Sequence, residues 1–137
     1  MMYSQNRAAL YRSVSGAGLI AEASPARLVQ ISFESILSHL AVAQGCMERI
    51  KDNRPVSDVV AKGTAIGKAL RLIGHLNDCL DMDKGGAIAQ NLRQLYLYML
   101  ERLSLANATN NAGLVEEVGD LVRKIKGGWD EIVAGEQ

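Results

Sequence analysis

An all-α fold, an antiparallel up-down four-helix bundle with a short, mobile N-terminal helical arm, is what the 137-residue sequence predicts. Three observations lead there. Two prolines, one phenylalanine and few β-branched alternations leave little material for a sheet. Apolar residues recur three and four positions apart over long segments. The connections between those segments are short, which makes neighbouring helices antiparallel.

The first 23 residues form a separate arm, and residues 24–137 form the bundle as a single domain. Met1 to Tyr11 reads as a short amphipathic helix, with Met2, Leu10 and Tyr11 as its anchors. The run Ser13-Val14-Ser15-Gly16-Ala17-Gly18 reads as a flexible joint, because serines and paired glycines disfavour a continuous helix. Ser24 is a good N-cap and Pro25 suits the first helical position, where its missing N–H costs nothing. From there Val29, Phe33, Ile36, Leu40, Ala43, Met47 and Ile50 make an unbroken heptad stripe that Asp52-Asn53-Arg54-Pro55 ends.

A second helix is predicted over about Ser57 to Leu80, with Val59, Gly63, Ile66, Leu70, Ile73, Asn77 and Leu80 as its stripe. Ala65, Ala69, Leu72 and Leu76 broaden its apolar face. Gly63 and Gly67 each weaken the helix by roughly 1 kcal/mol relative to alanine, which points to a backbone passing close by, most simply a bundle neighbour. Asp81-Met82-Asp83-Lys84-Gly85-Gly86 is a turn. The third helix follows to about Ala108, striped by Ile88, Leu92, Leu95, Met99, Leu103 and Ala106. Tyr96, Leu97, Tyr98, Leu100 and Leu105 wrap further apolar surface around it, as expected of a helix covered on most sides. After the turn at Asn107 to Asn111, a fourth helix carries Leu114, Val118, Leu121, Ile125, Trp129 and Ile132.

Composition narrows the function. Fifteen basic residues balance fifteen acidic ones, and no basic face stands out, which argues against a nucleic-acid partner. The cluster Arg123-Lys124-Ile125-Lys126 reads as cations at a helix C-terminal end. No segment approaches the roughly 20 apolar residues of a membrane span. The N-terminus lacks the pattern of a signal peptide, which predicts a cytoplasmic protein without membrane insertion. Cys46 and Cys79 lack CxxC spacing and read as buried free thiols.

Sites of chemistry were sought and none emerged. A calcium loop starting at Asp81 would have Gly85 and Leu92 where it needs oxygen ligands. A di-iron bundle needs a glutamate three residues before a histidine, whereas Ile36 and Leu72 precede His39 and His75. Neither histidine is followed by the Lys and Gly of a phosphotransfer domain. His75 and Cys79 share a helix face, but no third group or oxyanion hole accompanies them. Gly85-Gly86 lacks the spacing and lysine of a phosphate loop. The sequence therefore predicts no enzyme, no metal and no cofactor. What remains is apolar surface beyond one stripe per helix: Leu72, Leu76, Tyr96, Leu97, Tyr98 and Leu100. Such a surplus serves a partner, a homodimer, the arm or a broad core.

The segment Leu80-Asp81-Met82-Asp83-Lys84-Gly85-Gly86-Ala87-Ile88-Ala89-Gln90-Asn91-Leu92, continuing to Leu95-Tyr96-Leu97-Tyr98-Met99, resembles the signature of the flagellin-export chaperones, the FliS family. Ala23-Ser24-Pro25 with Leu28-Val29, Arg102-Leu103 with Ala106-Asn107, and Trp129-Asp130-Glu131-Ile132 agree, so the resemblance spans nearly the whole chain in order. Ser32 and Ser35, around Phe33 and Glu34, depart from the Leu and Gly of the family pattern. The resemblance implies a cytoplasmic export chaperone without ATP hydrolysis. It would bind the disordered C-terminal region of flagellin, prevent premature polymerisation and assist delivery to the flagellar type III export gate. An adaptor or regulator that binds another flagellar or regulatory protein is the alternative. On this reading Ile66, Leu70, Ile73, Leu92, Leu95, Tyr96 and Met99 are expected to line client-binding grooves on the second, third and fourth helices. Leu10 and Tyr11 are expected to anchor the arm over part of that surface when it is empty. Asn91 either meets the client backbone or, preferably, braces the Gly85-Gly86 turn.

Overall fold

The computed structural model describes residues 24–53 and 55–135. The arm, with Leu10 and Tyr11, lies outside them. Four helices follow in order: α1 Pro25–Asn53, α2 Val56–Asp78, α3 Gly86–Thr109 and α4 Ala112–Gly135. α1 packs on α2 and α4, and α3 packs on the same two, so the helices close into a ring with α3 and α4 the loosest pair. This is the all-α four-helix bundle that the periodicity predicts.

α1 begins as its sequence dictates. The Ser24 hydroxyl accepts the Arg27 N–H at 3.1 Å, a cap that contributes about 1 kcal/mol. Its whole heptad stripe, Val29 to Ile50, is buried. Ser32, where the family pattern has a larger apolar residue, is also buried; its hydroxyl donates to the Leu28 carbonyl at 3.1 Å and so reaches the core satisfied.

The other three helices are rotated from their predicted stripes. α2 buries Lys62, Ala65, Ile66, Ala69, Leu72, Ile73 and Leu76, while Val59 is 43% exposed. The surplus residues Leu72 and Leu76 are therefore core, not a partner strip. Lys62 explains the rotation: its stem lies in the seam while its ammonium reaches the carbonyl of Asn107 at 2.9 Å and the side-chain oxygen of Asn110 at 3.5 Å. It thereby satisfies acceptors at the C-terminal end of α3, where a cation is favoured. In α3, Tyr96 takes the core position expected of Leu95, and Ala89 that of Ile88; Ile88 is 61% exposed. In α4, Val115, Val118, Gly119 and Val122 are buried, and Leu114, Leu121, Ile125 and Trp129 pack against their edge. Arg123 and Lys126 do not sit at a helix end, since α4 continues to Gly135.

The turns also have local causes. Asp81 accepts the Lys84 N–H on its carboxylate at 3.0 Å and the Gly85 N–H on its carbonyl at 2.7 Å. Gly86 then adopts φ +56°, which glycine allows at no steric cost. Asn110 ends α3 in the left-handed region at φ 52°, where asparagine is tolerated. Asn91 is exposed and, among the described residues, makes no hydrogen bond to the Gly85-Gly86 turn, so that turn holds without it. Cys46 and Cys79 are buried thiols outside any disulfide. No described helix is long and apolar enough to cross a membrane.

Candidate functional site

The bundle leaves apolar rows facing outward on either flank of α3. Tyr98 donates to Glu117 of α4 at 2.6 Å, and Arg102 lies over the Tyr98 ring at 5.0 Å with its Nε 3.5 Å from the same carboxylate. These contacts fix one flank of α3 toward α4. At about 100° per residue, Ile88 and Leu95 lie on that flank. Leu121 and Ile125 of α4 are half-buried beside the core, and with Ile88 and Leu95 they outline a candidate apolar groove along the α3–α4 boundary. Tyr98 first, and Glu117 after it, favour the charged form of the Arg102 guanidinium.

The opposite flank of α3 borders α2. Leu97, 47% exposed, and half-buried Leu100 lie on it. On α2 the side bearing Lys68 faces α1, since that lysine acts on His39. The other side carries Leu70 with Gly63, Gly67 and Gly74, which recur on one face. A methyl group added at any of these three glycines would meet no atom within 4 Å. The close bundle neighbour expected at Gly63 and Gly67 is therefore absent among the described residues; the seam through Ala65, Ile66 and Ala69 turns them outward. Their bare backbone lies on the outer side of α2 with Leu70, and with Leu97 and Leu100 on the α2 flank of α3 it outlines a second candidate groove.

Of the seven residues expected to line grooves, Ile66, Ile73, Leu92, Tyr96 and Met99 are buried in the core. Leu70 and Leu95 are half-buried and open to a groove, one in each. Leu97, Leu100, Leu121 and Ile125 complete the accessible rows. Periodicity signalled an apolar surplus at Leu97 and Leu100, while Leu121 and Ile125 were absorbed into a core stripe. Among the described residues no group of His, Cys, Asp or Glu could hold a metal ion. His75 is half-buried and Cys79 buried one turn later.

The described residues make an all-α four-helix bundle with apolar residues exposed on both flanks of α3. The chain belongs to the family described as flagellar protein FliS, whose model matches residues 7–136. It is 40% identical over 131 residues to the flagellar secretion chaperone FliSB of Pseudomonas aeruginosa, covering 96% of this chain and 98% of that one. It is 39% identical over 132 residues to the flagellar secretion chaperone FliS of Salmonella typhimurium, covering 96% and 93%. The Vibrio cholerae flagellar secretion chaperone FliS is 36% identical over 122 residues, covering 89% and 85%.

Proposed function

We propose that this protein is a cytoplasmic flagellar secretion chaperone. It binds the disordered C-terminal region of flagellin, keeps it from polymerising and hands it to the flagellar type III export apparatus. The observation that supports the reading is the run of outward glycines on α2, open to solvent, with exposed Leu97 on the neighbouring helix α3. Glycine in mid-helix costs stability, and no described part of the bundle uses these three. A client helix uses them by lying close against α2, with its apolar side chains between Leu70 and Leu97. A second client segment occupies the groove at Leu95 and Leu121. Ile66, Ile73, Leu92, Tyr96 and Met99 support both grooves from beneath.

An unfolded client gains order as it binds, so affinity per unit area is low and release needs no nucleotide hydrolysis. This makes the protein a binder, not an enzyme. No observation favours the adaptor reading. Residues 1–23, through Leu10 and Tyr11, compete for part of the same surface, so binding sets an intramolecular occupant against an intermolecular one. Deleting residues 1–20 is then expected to tighten client binding, and unchanged affinity would refute the competition. The direct test is a binding titration with Gly67→Leu, which fills the outward glycine face of α2. Weakened binding with a retained helical spectrum supports the site; wild-type affinity rejects it.

A further inference from the structure

The Trp129-Asp130-Glu131-Ile132 stretch lies near the C-terminal end of α4, one turn past Ile125. Past Val122 no described residue of α4 is fully buried. Gly127 and Gly128 stand side by side within the helix, and a methyl group on either would meet no atom within 4 Å. They are not there to admit a neighbour; they weaken the helix where they lie. Beyond them Trp129 packs against the edge of the core, and α4 is tied to α1 through Asp130. Its carboxylate accepts the amide of the buried Gln30 side chain, and it takes the Lys126 ammonium on both oxygens at 3.0 and 2.9 Å. Gln30 is held in turn by Arg27. Lys126 precedes the glycine pair and Asp130 follows it, so one carboxylate both staples the weak point and fastens the segment to α1.

We propose that Trp129–Gly135 is a strap that lifts from α1 as a unit about Gly127-Gly128, with Asp130 as its latch, while the rest of the bundle stays folded. Lifting it uncovers Gln30 and the flank of α1 that α4 covers. Opening of this kind is local unfolding from the low-stability end of a structure.

The full chain carries its own probe, since Trp129 is its one tryptophan. Denaturant titrations followed by tryptophan emission and by far-ultraviolet circular dichroism separate strap from bundle. Wild type is expected to show the emission change at lower denaturant than the loss of helix. Asp130→Ala is expected to raise the open fraction about fivefold, leaving the midpoint of helix loss in place. Gly127→Ala with Gly128→Ala, which needs no rearrangement, is expected to lower it about fivefold per glycine and close the gap between the two transitions. Coincident transitions in the wild-type chain would overturn the proposal. So would an Asp130→Ala change that shifts both transitions together. Should Asp130→Ala fail to fold, the glycine variants decide alone by closing the gap or leaving it.

Discussion

Lys62 shows how a single polar residue sets the rotation of a helix. Its stem belongs to the seam and its ammonium to the end of α3. Lys62→Met keeps the stem's volume and removes the donor, leaving carbonyl acceptors unpaired. Urea titration is expected to show a loss of about 1–3 kcal/mol. Ile73, fully buried, differs from Leu70 three residues earlier. Ile73→Ala is expected to cost about 2–5 kcal/mol in the same assay, through lost burial and a residual cavity. Leu70→Ala costs much less, because its side chain is already half in water. His39 adds a pH dependence. Partial burial, then the charge of Lys68, lowers its pKa below the ordinary 6.5. The unfolded chain thus takes up this proton more readily than the folded one. The folded state holds that advantage above the ordinary value and loses it as pH falls through 6.5 to the lowered value. Urea midpoints measured across that window are expected to drop more for the wild type than for His39→Gln.

At the scale of elements, the two grooves are predicted to be separable. Leu97→Glu places a charge in the α2–α3 groove, and Leu95→Glu places one in the α3–α4 groove. Each is expected to weaken client binding at least about tenfold, since desolvating an unpaired carboxylate is costly, with helix content unchanged by circular dichroism. The existence and order of the helices were legible in the sequence because caps and breakers mark them: Ser24-Pro25, Pro55, Gly85-Gly86 and Asn110. α1 was legible down to its stripe, because its outer faces carry Glu34, Ser38, Glu48 and Arg49, leaving one way to turn it. α2, α3 and α4 were not, because Leu70 and Leu72, or Leu95 and Tyr96, are comparably apolar. Periodicity cannot choose between adjacent edges of so wide a face. For the same reason Leu70 and Leu95 read both as core stripe and as groove lining; they are half-buried, while Ile66, Ile73, Leu92, Tyr96 and Met99, also expected in the grooves, lie in the core. A lysine in the seam gave no apolar signal at all.

For the molecule as a whole, the bundle devotes its inward faces to one core and leaves two outward apolar rows on α3's flanks. A domain that keeps such rows exposed accepts a risk of association that a partner would offset. Family membership, the outward glycines of α2 and the exposed rows of α3 meet in the proposal that a client's helices cover this surface. Titration calorimetry of the full chain against a peptide covering the C-terminal region of flagellin from the same organism tests this most directly. The account predicts a saturable, stoichiometric complex with a negative heat-capacity change, a gain of helix on mixing, and loss of both in the chain carrying Leu95→Glu with Leu97→Glu. Absence of heat and of helix gain at about tens of micromolar, a range in which such coupled-folding complexes form, would contradict it.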